Sequence, residues 1–289
     1  MTTDVLHDSS LNRLIELALL EDIGLGDVTS EAIVPPDARG KGKILCKEDG
    51  VVAGLEVAEM VFRHCDQSIS FARLVDDGSV VDRGAIVARL EGSVRGLLLG
   101  ERTALNFLQR MSGIATLTRR YVKAVEGTNA NITDTRKTAP GLRALDKLAV
   151  RLGGGVNHRF GLDEMVLIKD NHVVAAGGIR AAIELCRKKL PTDEANRTME
   201  VETKNLAEVK EALACGPLGR IMLDNFELED MRQAVEMIDH RIEVEASGGI
   251  TLDTVRTVAL TGVDFISVGA LTHSPKALDL SIELIQTGV

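Results

Sequence analysis

The spacing of hydrophobic residues changes along the chain and divides it into two parts. In the first part, apolar residues at helical spacing, such as Ile15, predict an amphipathic helix over 11–22. Short apolar runs separated by Gly and Asp-Gly then predict strands and tight turns over 38–90, with one helix over 56–65. This stretch alone would also fit a β-rich carrier module, but such a module needs a lysine at a hairpin tip, and Lys47 is a poor candidate.

A further helix is predicted over 96–111, where Leu98 and Leu105 share one face. Glu101 falls inside the apolar arc of this helix, and Arg102 lies at the edge of the arc. An ion on a packed helix face needs a partner. Two interpretations stay open for these charges: a local ion pair, or a subunit interface with a site facing across it.

After residue 113, short apolar runs of β type alternate with helical segments. The predicted strands lie near 131–134, 165–168, 199–202, 220–223, 242–245 and 265–268, and the predicted helices lie near 179–189, 206–215, 227–238 and 252–260. Repeated β-then-α order implies parallel strands with right-handed crossovers. Six or seven such units predict an α/β barrel or an open, barrel-like sheet. A last helix, from about 275 to 286, is expected to pack back on the first part.

Composition limits the classes of protein that this chain can be. Its 289 residues suffice for one large α/β domain or for a large and a small one. No apolar run reaches the ~20 residues that span a bilayer, and the N-terminus is polar, so no membrane segment and no signal peptide are expected. The four cysteines are scattered, which favours core thiols in a reducing, cytoplasmic setting. The net charge of −9 argues against nonspecific nucleic-acid binding.

Polar residues follow nearly every predicted strand of the second part. The segments that carry them are 134–138, 169–172, 202–204, 224–225, 246–249 and 269–270. In a parallel barrel the carboxyl ends of the strands meet at one rim, where active sites form. Solvated loops, the alternative, would place charges at both strand ends. The pattern therefore favours a functional rim.

The rim residues separate by charge. The cations are Arg136, Lys137, Arg159 and Lys169, with His158 beside Arg159. Such a cluster suits an anion, because arginine binds carboxylate or phosphate with two hydrogen bonds. Glu202 and Asp224 on neighbouring strands would suit Mg²⁺, held partly through water beside a polyphosphate. An ordinary ion pair with a rim lysine is the alternative for each carboxylate alone.

Glycine turns on the last strands predict a phosphate site. Ser247, Gly248 and Gly249 precede a helix, and Gly269 and Ala270 follow the next strand. No nucleophile or metalloprotease motif occurs, so the rim is suited to holding anions and stabilising developing charge. A catalytic role and an ordinary hydrogen-bonding role stay open for the rim histidine at position 172.

At these residues the sequence closely resembles the quinolinate phosphoribosyltransferase family. The matching stretches are 21–29, Gly100-Glu101-Arg102-Thr103-Ala104-Leu105-Asn106, Asp134-Thr135-Arg136-Lys137-Thr138-Ala139-Pro140-Gly141, Gly153-Gly154-Gly155-Val156-Asn157-His158-Arg159, Leu167-Ile168-Lys169-Asp170-Asn171-His172, Glu200-Val201-Glu202, Met222-Leu223-Asp224-Asn225-Phe226 and Glu245-Ala246-Ser247-Gly248-Gly249-Ile250. They occur in order and cover nearly the whole chain. The combination is specific.

The resemblance implies an α/β architecture with two domains. An N-terminal α/β sandwich would occupy 1–114, with the C-terminal helix over 275–289 packed on it, and an open seven-stranded parallel α/β barrel would occupy 115–274. It also implies a homodimer in which Arg102 reaches the active site of the partner. That role would explain the position of Arg102 on its helix.

The resemblance also implies a role for each matching residue. Those that would bind the quinolinate carboxylates are Arg102, Arg136, His158, Arg159 and Lys169. Lys137 would lie near both substrates, and Thr138 is also expected to bind substrate; Lys137, Lys169, Glu202 and Asp224 would form the catalytic set. Glu202 and Asp224 would hold Mg²⁺ and the ribose hydroxyls. The 5′-phosphate would be held by Ser247, Gly248, Gly249, Val268, Gly269 and Ala270. Glu200 is expected to point away from Glu202, since strand side chains alternate.

The implied reaction joins quinolinate to 5-phosphoribosyl-1-pyrophosphate and gives nicotinate mononucleotide, CO2 and pyrophosphate. Three rivals stay open. A paralogue of the same fold associated with molybdenum transport would lack part of the cation set, whereas the full set is present in this chain. A nicotinate phosphoribosyltransferase needs a clamp for only one carboxylate, and a noncatalytic binder of phosphorylated metabolites needs no metal-binding pair.

Overall fold

The computed structural model describes residues 9–190 and 199–285, which fall into two compact units. The first unit holds the described residues up to Arg119, together with Thr138–Gly154 and the described residues from Thr272 on; the second holds Arg120–Lys137 and Gly155–Leu271. The domain boundary expected after residue 114 falls inside one continuous helix. No helix within the described ranges combines the length and apolar character that crossing a bilayer demands.

The helices and strands predicted before residue 275 occur in the predicted order, and helices over 28–33, 143–152, 170–176 and 270–273 occur in addition. The helices are α1 Ser9–Ile23, α2 Val28–Ile33, α3 Leu55–Cys65, α4 Val94–Ala124, α5 Arg143–Leu152, α6 Asp170–Ala176, α7 Ile179–Lys189, α8 Leu206–Ala214, α9 Leu228–Ile238, α10 Val255–Ala259 and α11 Ala270–His273. The strands are β1 Arg39–Cys46, β2 Gly50–Val51, β3 Ser70–Arg73, β4 Val80–Val81, β5 Ile86–Ser93, β6 Asn131–Thr133, β7 Leu167–Ile168, β8 Glu200–Thr203, β9 Arg220–Asp224, β10 Glu243–Ser247, β11 Phe265–Ser267 and β12 Leu280–Ile285.

The first unit is built on an antiparallel sheet with the strand order β12-β1-β5-β3. Helix α3 begins where Asp77 accepts hydrogen bonds from the backbone N–H groups of Gly54 and Leu55, at 2.7 and 2.9 Å. The buried face of this helix includes Phe62, which has no exposed surface. Burial of such a ring contributes roughly 1.5–3 kcal/mol, more than one net hydrogen bond, so the apolar face stabilises the helix more than this cap does.

The helix expected at the C-terminus is wrong, because 275–279 form neither helix nor strand and 280–285 form strand β12. This strand pairs with β1 over a register that runs from Leu280 opposite Cys46 to Ile285 opposite Lys41. The sequence contains the physical reason: apolar Leu280 and Ile282 alternate with polar residues, which is the period of a strand. The remaining predicted residues, 286–289, lie outside the described ranges.

The second unit is an α/β unit with a fully parallel sheet, as predicted. Its strand order is β6-β11-β10-β9-β8-β7. A seventh position is reduced to one parallel bridge between Thr133 of β6 and Val156. The preceding Gly153-Gly154-Gly155 segment explains this, because glycine weakens a strand and leaves only Val156 to pair. Within the described residues of this unit, the implied seven-stranded barrel consists of six strands and a single bridge.

Parallel pairing brings the carboxyl ends of the strands to one edge. In the register, Thr203 of β8 lies beside Leu223 of β9, and Asp224 lies beside Ser247 of β10. Apolar residues of these strands are buried, including Val201 and Ile221, each without exposed surface. The parallel register of the second unit thus places the side chains that follow each strand at one edge of the sheet.

Candidate active site

Glu202 and Asp224 stand near the carboxyl ends of the adjacent strands β8 and β9. Glu202 is buried, and Asp224 is half-buried. Burial, and then the negative charge of Glu202, raise the pKa of Asp224. A divalent cation between these two carboxylates would offset the repulsion that acts on Asp224. The oxygen donors present therefore fit Mg²⁺.

Lys169 joins these carboxylates from the end of β7. Its Nζ donates a hydrogen bond to Glu202 Oε2 at 3.0 Å. The charges of Lys169 and Lys137 also act to lower the pKa of Asp224, against the larger effect of burial. The ordinary ion pair with a rim lysine, which was the alternative to a metal-binding role for each carboxylate, is thus present for Glu202. Asp224 instead accepts a hydrogen bond from the side-chain amide of Asn225, at 2.9 Å.

Arg136 and Arg159 place two guanidinium groups close together in the second unit. Arg159 is only 9% exposed, and its Nη1 donates to the carbonyl of Met165 at 3.0 Å. Its Nε is buried without a hydrogen-bond partner among residues 9–190 and 199–285. Burial, and then the charge of Arg136, lower the pKa of Arg159. A buried donor beside a second cation is the environment that a bound carboxylate would complete.

His158 lies beside these cations, but both of its ring nitrogens have bonds within the protein. The backbone N–H of Arg159 donates to Nδ1 at 2.7 Å, and Nε2 lies 3.0 Å from Glu200 Oε2. Its backbone N–H donates to the buried carboxylate of Asp134 at 3.0 Å. The expected contact of His158 with a ligand carboxylate stays a prediction.

The expectation that Glu200 points away from Glu202 is wrong. Side chains two residues apart in a strand lie on the same face, and only neighbours in sequence alternate. Glu200 has no exposed surface and forms a hydrogen bond with His158. The charge of Lys169 acts to lower the pKa of Glu200, and the same lysine donates a hydrogen bond to Glu202. Glu200 therefore faces the same interior as Glu202.

Three charged residues within the strands form a buried cluster that the sequence-based prediction missed. They are Glu200 of β8, Arg220 of β9 and Glu245 of β10. Arg220 Nη1 donates to Glu245 Oε2 at 2.8 Å, and its guanidinium lies 3.7 Å from the centre of the Phe265 ring. Burial raises the pKa of Glu200 and of Glu245 to about 7 each. The sequence feature that could have revealed this cluster is the occurrence of carboxylates at alternate positions of otherwise apolar strands.

The same cluster has the spacing of a cation site. One ligand atom from each of His158, Glu200 and Glu245 lies within 4.8 Å of the others. Arg220 already supplies positive charge there through its bond to Glu245. The carboxylates thus have a compensating cation from the protein itself.

The predicted phosphate turns adjoin each other on strands β10 and β11. Gly248 and Gly249 have φ of +100° and +61°, the left-handed region that favours glycine. A Cβ at Gly248 would collide with the side chain of Asn225, whereas a Cβ at Gly249 would meet nothing within 4 Å. The backbone N–H of Asn225 donates to the carbonyl of Ser247 at 2.8 Å, which ties this turn to β9.

The second turn begins after β11. The N–H of Val268 donates to the carbonyl of Thr133 at 3.0 Å, so this donor is used within the sheet. Gly269 follows, and Ala270 begins α11. Any phosphate contact of this turn therefore has to come from the groups after Val268.

The remaining predicted residues divide between the units. Lys137 is exposed in the second unit, and its backbone N–H donates to Thr135 Oγ1 at 3.0 Å. In the first unit, Arg102 is exposed on α4, and Thr138 is a half-buried loop residue whose Oγ1 accepts a hydrogen bond from a neighbouring arginine. The substrate contacts expected of Arg102 and Thr138 stay predictions. His172 is exposed, and its Nδ1 accepts the backbone N–H of Lys169 at 3.0 Å.

Comparisons with known proteins agree on one family across the chain. The model of the quinolinate phosphoribosyl transferase N-terminal domain matches residues 27–112, and that of the C-terminal domain matches 114–283. A chloroplastic nicotinate-nucleotide pyrophosphorylase (carboxylating) of Arabidopsis thaliana is 47% identical over 95% of this chain and 82% of its own. A probable enzyme of the same name from Synechocystis sp. is 46% identical over 93% of this chain and 90% of its own.

Solved structures show the same fold. The crystal structure of NadC from Streptococcus pyogenes is 40% identical, covers 96% of this chain and 97% of its own, and superposes with a TM-score of 0.91. Human nicotinic acid phosphoribosyltransferase superposes with a TM-score of 0.64 at 12% identity, over 96% of this chain and 74% of its own. At that identity the second likeness shows the fold alone.

Proposed function

This chain belongs to the quinolinate phosphoribosyltransferase family, and on that premise we propose how its second unit carries out the reaction. The enzyme transfers phosphoribosyl from 5-phosphoribosyl-1-pyrophosphate to quinolinate with decarboxylation, a step of NAD biosynthesis. The observation that carries the assignment of residues is the buried Nε donor of Arg159, which lies close to the charge of Arg136.

Quinolinate has two carboxylates on adjacent ring carbons, and the site offers several cations to them. Arg159 and Arg136 would bind one carboxylate, because the buried Arg159 Nε lacks a partner that an anion would provide. Lys169 would bind the other, since it already bonds to a carboxylate and could exchange Glu202 for the substrate. A substrate with a single carboxylate would leave part of this buried charge uncompensated.

Glu202 and Asp224 would hold Mg²⁺ and the ribose hydroxyls. When bound, the metal would supply positive charge to the pyrophosphate that leaves. Lys137, exposed at the same edge, would lie near both substrates. The charge that develops on the sugar ring as the bond breaks is positive, and the two carboxylates would stabilise it.

The substrate itself provides the electron sink for decarboxylation. Attack of the pyridine nitrogen on the anomeric carbon displaces pyrophosphate and makes the ring a pyridinium. The pyridinium stabilises the electron pair left on the ring carbon as the adjacent carboxylate departs as CO2, and that carbon then takes up a proton from solvent. The residues of the chain therefore have to orient the ring and hold its carboxylates, and no protein base has to remove a proton. This agrees with a rim that carries cations and acids without a nucleophile motif.

The 5′-phosphate would be held by the two turns after β10 and β11. The positive φ values of Gly248 and Gly249 let the backbone approach a ligand closely. The first turn would contribute Ser247, Gly248 and Gly249, and the second would contribute Gly269 and Ala270, with Val268 fixing the turn through its bond to Thr133. A homodimer in which Arg102 completes the partner's site, and a cytoplasmic location, are further parts of this proposal.

A paired assay tests the function. Purified protein is given 5-phosphoribosyl-1-pyrophosphate and Mg²⁺ with either quinolinate or nicotinate, and released pyrophosphate and CO2 are measured. We expect turnover with quinolinate, little with nicotinate, and loss of turnover when a chelator removes the metal. Equal turnover of both acids would overturn the substrate assignment, and full activity with chelator would remove Mg²⁺ from it. Binding without turnover would favour the noncatalytic rival.

A further inference from the structure

Arg159 is held from both sides in the second unit. On one side its backbone N–H donates to the Nδ1 of His158 at 2.7 Å, and on the other its Nη1 donates to the carbonyl of Met165 at 3.0 Å. The Nε between these two anchors is the buried donor that has no partner among the described residues. The position of this donor therefore depends on the groups that hold the backbone of Arg159.

The bond to Nδ1 fixes the state of the imidazole ring. Since the N–H of Arg159 is the donor, Nδ1 of His158 carries the lone pair, and the ring proton lies on Nε2. That proton points to Glu200 Oε2 at 3.0 Å, with Glu245 Oε2 at 3.6 Å. Both acids have no exposed surface, so the ring is anchored to the interior of the sheet.

Arg220 completes the anchor from the strand between the two acids. It donates to Glu245 at 2.8 Å and to the exposed Glu243 at 3.0 Å. Strands β8, β9 and β10 each contribute one charged group to the cluster. The cluster contacts the site through the hydrogen bond between Glu200 and His158, and the charge of Glu200 also opposes the lowering of the pKa of Arg159.

We propose that His158 is a positioning residue, which orients Arg159 for a substrate carboxylate through the Nδ1 bond while Glu200, Glu245 and Arg220 lock its ring. This inference rests on the proposed function. It differs from the sequence-based expectation that the imidazole binds quinolinate itself. Because both ring nitrogens already have partners, His158 acts through the backbone of its neighbour.

Two substitutions at the same position separate the two roles. His158→Asn keeps an acceptor where Nδ1 lies, so the Arg159 N–H retains its partner. His158→Gln keeps a donor where Nε2 lies but removes that acceptor. We expect the KM for quinolinate to rise about tenfold more in His158→Gln than in His158→Asn, the effect of one hydrogen bond, with the KM for 5-phosphoribosyl-1-pyrophosphate unchanged. Direct contact of Nε2 with quinolinate would give the opposite order.

The locking acids are tested by a second pair. Glu200→Gln keeps an oxygen that accepts from Nε2–H, whereas Glu200→Leu removes it. We expect the KM for quinolinate to rise in Glu200→Leu and to stay near the wild-type value in Glu200→Gln. Equal KM values in these two variants, both folded by circular dichroism, would overturn the locking role.

Controls distinguish the possible failures. His240→Asn changes an exposed histidine in the turn after α9 and should leave every constant unchanged. If kcat, KM and melting temperature shift together in all His158 variants, the residue is merely structural and the inference is wrong. If the wild-type protein does not turn over quinolinate at all, the proposed function fails first, and this outcome is read before any variant.

Discussion

Lys169 Nζ lies 3.0 Å from Glu202 Oε2, and this ion pair joins the end of β7 to the end of the neighbouring strand β8. The lysine is nearly half exposed, whereas the glutamate is buried. Screening by solvent makes such a pair a weak contributor to stability. The pair therefore keeps a solvent-accessible cation beside the carboxylates of the site at little cost in folding.

Lys169→Ala should remove most activity and leave the protein folded. The substitution deletes a cation expected to bind quinolinate and to balance Glu202, so kcat/KM should fall by about 100-fold or more. Steady-state rates of pyrophosphate release, with melting temperatures, measure both effects. Wild-type rates in this variant would exclude Lys169 from the site.

Lys204→Ala is the matched control for that substitution. Lys204 Nζ lies 3.2 Å from Asp170 Oδ2, and its side chain is exposed to a similar degree, 53% against 45% for Lys169. Loss of an exposed lysine ion pair is thus common to both variants. We expect the rate of the control to stay within about twofold of the wild type. An equal loss of activity in both variants would mean that the rate depends on the net charge of the protein and not on a cation in the site.

Gly248→Ala should weaken binding of 5-phosphoribosyl-1-pyrophosphate far more than Gly249→Ala. Both glycines have positive φ, so both substitutions introduce backbone strain of about 1 kcal/mol. Only the methyl group at 248 would collide with Asn225, and relief of that collision has to shift the turn. We expect the KM for this substrate to rise about tenfold in Gly248→Ala and less than about threefold in Gly249→Ala. Equal KM values would argue against a phosphate site at this turn.

Much of the second unit was predictable because its sequence signals are local. Each β-then-α segment carries its own apolar run, and parallel strands have to deliver their ends to one edge, so Lys169, Glu202 and Asp224 could be placed together. The strand period also determines the correct direction of Glu200, because residues two positions apart share a face. The expectation that Glu200 and Glu202 lie on opposite faces misapplied the two-residue period of a strand, which by itself predicts that they share a face.

Other features depend on partners distant in the chain. Strand β12 forms because the edge of β1, more than 230 positions earlier, accepts it; the register pairs Lys41 with Ile285. The bonds of His158 to Arg159 and Glu200 depend on ring orientation, which spacing does not contain. Local patterns could therefore identify the charged residues but not the contacts that hold them.

Arg102→Ala and Lys169→Ala protomers should restore activity when mixed. If Arg102 completes the partner's site, each mixed dimer holds one intact site, and statistical exchange gives about a quarter of wild-type activity. Rates measured before and after subunit exchange test this. The control mixes Lys169→Ala with Asp224→Asn, both in the second unit of the chain, and should show no recovery. No recovery in the first mixture, despite exchange, would place Arg102 in the site of its own chain.

Glu245 should make stability fall as the pH rises towards neutrality. Its environment consists of Glu200 from β8, Arg220 from β9, His158, and Ser267 from β11. Burial, and then the charge of Glu200, raise the pKa of Glu245 from 4.5 to about 7. The native state therefore holds this proton more tightly than the unfolded state, so the contribution is complete below pH 4.5 and is lost as the pH rises through about 7.

Glu245→Gln should flatten that dependence. The amide cannot ionise, so the part of the drop in the free energy of unfolding between pH 5 and pH 8 that Glu245 causes, on the order of 2 kcal/mol, should disappear, while the part that Glu200 causes should remain. Glu243→Gln is the matched control, because Glu243 bonds to the same Arg220 but is exposed. Urea unfolding at several pH values measures all three proteins. A slope that is the same in Glu245→Gln as in the wild type would mean that this carboxyl is already ionised in the folded protein, with Arg220 outweighing burial.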